Sequence, residues 1–258
     1  MEVETKDDTD EVIDIRSLLD ECIFLPYNIQ EHGIIRLIVD DYLEYRLSVV
    51  EGADTEKMNR GLGYLHDTIH DLNNGLCGAC YGGHVKLAEL MISKGADIWD
   101  WGLWSACEGG HVKLVELMIF KGANDWNWGL LGACYGGHLE LAELMISKGA
   151  NDWNWGLLGV CYGGHVKLVE LMISKGADDW NWGLCGACEG GHLGLVELMI
   201  FKGANDWNRG LCEACEGGHL KLVQLMTSKG ISKSNIRRCL LDRHTSNTDI
   251  IAHLESLL

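Results

Sequence analysis

The chain has 258 residues, nearly half of them apolar, with one proline, 33 glycines and a formal charge of −17. Such a composition can bury a core and excludes collagen-like or proline-rich material, and no run of about 18 apolar residues is present to span a bilayer. The negative charge opposes phosphate backbones and anionic lipid, so the expected partner is a protein, a basic one if charge matters, and neither nucleic acid nor membrane.

The opening MEVETKDDTD is acidic and polar, the wrong chemistry for a signal peptide, and residues 1–11 read as a disordered tail. Eleven Cys without a secretion signal point to a reducing compartment, cytosol or nucleus. Residues 12–71 read as a helical region: Ile15, Leu18, Leu19 and Cys22 form one apolar stripe, and Ile34, Ile35, Ile38 and Tyr42 form another, with Pro26 between them. Met58, Leu62, Leu65, Ile69 and Leu72 recur in steps of four and three, predicting a capping helix.

From Leu72 to Ile231 a unit recurs six times, with His84, His111, His138, His165, His192 and His219 each 27 residues apart. Typical copies are IWDWGLWSACEGGH (98–111), DWNWGLLGACYGGH (125–138) and DWNRGLCEACEGGH (206–219). A fixed period in this range is the mark of a solenoid, whose units bury their apolar faces only against neighbours. After each His, as in HLELAELMISKGA, Leu141, Leu144 and Met145 fall at i, i+3, i+4 and predict an amphipathic helix. Lys148 and Gly149 mark its end, a cation at the negative helix terminus and then a residue that accepts a left-handed conformation. A shorter first helix is expected from about Trp128, capped by Asn127 or Asp125 and ended by the Gly pair. The expected fold is therefore all-α, a solenoid of stacked helix-turn-helix units.

The ordered residues GL, AC, GGH, LVELMI and KGA resemble the ankyrin repeat. At 27 residues the unit is shorter than an ankyrin repeat of about 33, and the missing part falls where ankyrin units project a hairpin finger. The compact form looks like the ankyrin-like repeats of large DNA viruses that infect amoebae. The resemblance implies a protein-binding scaffold with right-handed stacking, and the narrower likeness implies a host-directed viral protein. Residues 232–258 read as a degenerate capping repeat: Ile236 takes the unit's Leu position and His244 its His position with the spacing slipping to 25, Asp242 and Arg243 replace the Gly pair, and Ile250, Ile251 and Leu254 continue the stripe. LPYNI at 25–29 is similar to the opening of an F-box, which implies an alternative function: residues 12–50 recruiting a ubiquitin ligase while the repeats select its substrate. A spacer without a specific partner is a third reading.

Cys134 four residues before His138 looks like a nucleophile with its base, but the same pair recurs in every unit, and a helix C-terminus disfavours a thiolate. No nucleophile, base and orienting group converge, so no enzyme activity, small-molecule substrate or cofactor is expected. The pairs CGAC (77–80), CGAC (185–188) and CEAC (212–215) invite a zinc reading. Tetrahedral Zn–S bonds put sulfurs roughly 4 Å apart, whereas equivalent positions on stacked helices lie about 8 to 10 Å apart, so no metal is expected.

Two Trp slots behave differently along the units. The first reads Leu72, Trp99, Trp126, Trp153, Trp180, Trp207 and is expected in the core; the second reads Asn74, Trp101, Trp128, Trp155, Trp182, Arg209, polar at both ends. Either terminal units tolerate polarity there, or Trp101, Trp128, Trp155 and Trp182 form a ladder that a partner uses. Tyr81, Glu108, Tyr135, Tyr162, Glu189 and Glu216 occupy one variable slot before the Gly pair, a mixture that suits a surface. These ten residues are the candidate partner-binding set.

Overall fold

A computed structural model describes residues 72–241 and 247–258. The acidic tail, the helices expected in 12–71, the LPYNI segment, and Asp242, Arg243 and His244 lie outside the described residues. The chain divides into two units after Asp97. In the first, residues 72–97 hold α1 (72–82) and α2 (Val85–Lys94). The second holds the pairs α3 (Trp99–Gly109) and α4 (Val112–Lys121), α5 (Trp126–Gly136) and α6 (Leu139–Lys148), α7 (Trp153–Gly163) and α8 (Val166–Lys175), α9 (Trp180–Gly190) and α10 (Leu193–Lys202), and α11 (Trp207–Glu216) and α12 (Leu220–Thr227). It ends with α13 (Lys233–Leu241) and α14 (Thr248–Ser256). The described residues form no strand.

Each first helix starts two residues before Trp128 and its equivalents. Asp125 is the cap, its carboxylate accepting from the Trp128 N–H at 3.1 Å, and Asp152, Asp179 and Asp206 repeat the arrangement. The helix closes at Gly137, whose φ of 78° is left-handed, while the His138 N–H reaches back to the Ala133 carbonyl at 2.9 Å. The second helix ends likewise at Gly149, with Ala150 N–H bonding the Met145 carbonyl at 3.0 Å. In α6 the buried stripe is Leu141, Ala142 and Met145, and Leu144 is only half-buried. The apolar face is thus centred one position away from the expected stripe, as it is where Val115, Val169, Val196 and Val223 fill the Ala142 position.

In the second unit the first helices α3, α5, α7, α9 and α11 form a row, each packed on the next and on its own second helix. That row sets the rest of the packing. A Cβ added at Gly132 would collide with the Trp104 carbonyl oxygen, and one at Gly136 with that of Glu108. The same backbone approach recurs for Gly186 on Leu158 and Gly190 on Tyr162. Leu130, Ala133 and Cys134 fill the remaining face with complete burial. At the C-terminal end α13 buries Ile236 and Cys239, and α14 buries Ile250 and Leu254 with Ile251 half-buried.

Gly186→Ala is expected to destabilise the protein by about 1–3 kcal/mol, since fixed backbone stands where the methyl must go. Gly194→Ala, at a helix position with open space around it, is expected to be neutral or to stabilise by up to about 1 kcal/mol. Urea denaturation of the two variants checks both; equal midpoints would contradict the close approach.

Candidate partner-binding surface

The invariant polar residues join neighbouring repeats. His138 Nε2 donates to the Glu108 carbonyl at 3.1 Å, His165 to Tyr135 at 3.0 Å and His219 to Glu189 at 2.9 Å, each ring satisfying a carbonyl near the end of the preceding first helix. Since a carbonyl only accepts, Nε2 carries the proton. The imidazole is thereby committed to backbone and is not paired with Cys134. Burial pushes that thiol up to about 12, with Cys107 adding to the rise. Burial likewise pushes the thiols of Cys107 and Cys161 up to about 12. A thiol so placed is a small apolar group, not a nucleophile.

Asn127, one of two candidate caps, instead reaches the next repeat: its Oδ1 accepts from the Asn151 N–H at 2.8 Å and the Asp152 N–H at 3.0 Å. Asp100, Asn154 and Asn181 do the same in their own repeats. In the first unit Asn73 accepts from the Asp97 N–H at 2.9 Å. A side-chain ladder therefore ties successive loops together.

The variable residues lie outside these ties. Trp101, Trp128, Trp155 and Trp182 form a continuous row with successive ring centroids 4.8, 5.6 and 6.4 Å apart, and the Arg209 guanidinium sits 5.9 Å over the Trp182 ring. Trp101 is 51% exposed and the next three are half-buried. The Tyr135 and Tyr162 rings lie 4.7 Å apart, tilted at 52°. Trp104 joins the two rows, lying 6.3 Å from Trp101, Trp128 and Tyr135, and was not among the expected site residues. Its slot varies as Cys77, Trp104, Leu131, Leu158, Cys185, Cys212, which was the available signal. Its Nε1 is buried without a hydrogen-bond partner.

The aromatic surface runs into acidic residues. Tyr162, Glu189, Glu216 and His219 line an open cleft of about 380 Å³. Glu108 is held above the usual carboxylate range by burial, and Glu189 by burial and then by Glu213 and Glu216. Arg209 Nε meets Glu213 at 3.4 Å. Tyr81, in the first unit, is 44% exposed.

Two expectations are corrected. The first-slot residues Trp99, Trp126, Trp153, Trp180 and Trp207 are half-buried and outside the core. They sit at the open end of their own helix pair, where Lys148, Lys202 and Lys229 lie 5.5–5.9 Å over Trp126, Trp180 and Trp207. The sulfur separation expected for equivalent positions does not extend to non-equivalent ones: Cys212 and Cys239 Sγ, on successive first helices, are 3.2 Å apart. Among the described residues no three His, Cys, Asp or Glu groups converge to hold a metal ion. Phe120 and Phe201, 84% and 86% exposed on second helices, are further surface residues missed in the sequence.

No family model matches the chain. No curated protein matches it either. Among solved structures, the ankyrin repeat domain of human ASB11 is similar, with 19% identity over 61% of this chain and 84% of that one, at a TM-score of 0.39.

Asn154→Ala removes the acceptor for two backbone N–H groups and is expected to destabilise by about 1–2 kcal/mol in denaturant titration. Glu189 has a folded pKa above its unfolded one, so the folded state holds the proton more tightly and stability falls as pH rises through that interval. Glu189→Gln should therefore raise Tm at pH 7 and lose the advantage below the unfolded carboxylate pKa of roughly 4.3; an equal Tm at pH 7 would contradict the crowding of Glu189 by its neighbours.

Proposed function

We propose that the chain is a protein-binding repeat module that holds a basic partner segment along Trp101, Trp128, Trp155 and Trp182, beside Tyr135 and Tyr162, with Glu108, Glu189 and Glu216 supplying the countercharge. Tyr81 offers the same kind of ring in the first unit. The observation that carries this reading is the unbroken aromatic row across four repeats leading to the acidic cleft, outside the ties that hold the stack together. Trp and Tyr present large, stiff contact area at low entropic cost, and acidic side chains around them select a cationic partner and speed its capture. Among the described residues no helix is long and apolar enough to cross a membrane.

The units are read as shortened ankyrin-like repeats on the order and spacing of GL, AC, GGH, LVELMI and KGA. That compact form suggests a viral chain acting on a host protein in the reducing interior of the cell.

Binding is tested with the full chain as bait, comparing wild type, Trp155→Ala, Glu189→Lys/Glu216→Lys and Phe120→Ala, each first shown to be folded by its melting curve. A captured partner should bind Trp155→Ala and the charge-reversed variant at least about tenfold more weakly, and bind Phe120→Ala unchanged. Equal retention by all four, or loss only with Phe120→Ala, places binding elsewhere.

A further inference from the structure

One cysteine pair is brought together where the repeats end. Cys212, on α11, is half-buried and open to a small solute; Cys239, on α13, is 2% exposed. Their Sγ atoms lie 3.2 Å apart. The contact has a cause in the sequence: the spacing in α13 slips to 25, so Cys239 fills the buried position that Ala214 fills in α11, and a sulfur replaces a methyl on the face turned toward α11.

We propose that Cys212 and Cys239 are an oxidisable dithiol whose disulfide fastens the C-terminal helices to the last repeat. The oxidant belongs to the hydroperoxide class. Cys212, the more exposed, reacts first: its sulfur attacks a peroxide oxygen, the O–O bond breaks, and the products are a sulfenic acid and, from hydrogen peroxide, water. The Cys239 sulfur then attacks the sulfenic sulfur and displaces its hydroxyl, which leaves as water with the Cys239 proton. In sum, two thiols and one hydrogen peroxide give one disulfide and two waters, with two electrons passing from sulfur to oxygen. A disulfide needs sulfurs about 2.05 Å apart, so closure asks for a movement of roughly 1 Å. The hydrogen bond to Cys212 and then burial hold the Cys239 pKa up, which keeps it a thiol until a sulfenic acid forms beside it.

The alternative partner for Cys212 is Cys215, one turn along the same helix, where neighbouring Cβ atoms lie about 5–6 Å apart instead of the ~3.8 Å a disulfide prefers. The cross-link to Cys239 would instead close a loop through α12, which restricts the unfolded chain.

The test uses the full chain, reduced, freed of reductant, treated with hydrogen peroxide at neutral pH, and then alkylated under denaturing conditions for peptide mapping. Two of the eleven thiols should disappear, a peptide pair joining Cys212 to Cys239 should form within one chain, and the melting temperature should rise and return with dithiothreitol. Cys212→Ser and Cys239→Ser should each lose the link, and Cys185→Ser should keep it; Cys212→Ser alters a half-buried position and guards against a variant that merely unfolds the end helices. Eleven titratable thiols after treatment, a link from Cys212 to Cys215, a link between chains, or an equal rise in melting temperature with loss of two thiols in Cys212→Ser would each overturn the proposal.

Discussion

Backbone-to-backbone approach of successive first helices is the constraint on which the second unit depends. The Gly132 and Gly136 positions face carbonyl oxygens of the preceding helix, with Ala133 and Cys134 between them offering at most a methyl or a thiol. A side chain added at Gly132 or Gly136 would meet those carbonyl oxygens, so the fixed backbone of one helix would have to move. His138 contacts the Glu108 carbonyl, and Asn127 the Asn151 and Asp152 amides, only because the helices stand this close. The residue types that look chemically reactive in the sequence are thus consequences of size and hydrogen-bonding capacity.

This division of labour frees other positions. The slot of Tyr135 and Glu108 gives its backbone carbonyl to the scaffold and its side chain to the surface, so the repeat tolerates Tyr or Glu there without loss of the His contact. Trp128 and Trp155 bond their capping Asp residues through the backbone N–H alone, so the cap does not depend on the indole. Variation at such positions changes the chemistry of the proposed binding surface while leaving the stack intact.

Much of the fold was legible because its determinants are periodic: the 27-residue step, the apolar stripe, and the Lys-Gly ends each repeat often enough to separate rule from accident. What was not legible involved contacts between units. Asp125 and Asn127 are equally good caps by type, and only the position of the next loop assigns one to the cap and the other to the ladder. The first-slot Trp looked like core because it is never polar, yet its ring lies by the left-handed glycine at the open end of the pair, where part of its surface stays uncovered. Trp104 was missed since it occurs once, and a ring that joins two rows has no periodic signature. Cys239 escaped for the opposite reason: the slip to 25 removes it from the pattern, and its contact with Cys212 follows from that slip.

Packing and the proposed recognition fall on the same side chains of the second Trp slot. Aromatic contacts at 4.8–6.4 Å hold Trp101, Trp128, Trp155 and Trp182 in fixed orientations, each worth about 0.5–1.5 kcal/mol. Yet none of the four is fully covered, and Trp101 keeps half its surface. A ladder that served packing alone would gain by deeper burial, whereas a free ring on a surface would lose rotamer entropy on meeting a partner. Rings already held by their neighbours have given up that freedom in the unbound protein. Packing is therefore what makes the exposed faces fit for recognition, and Arg209, closing the row over Trp182, extends the same preorganisation to its acidic end.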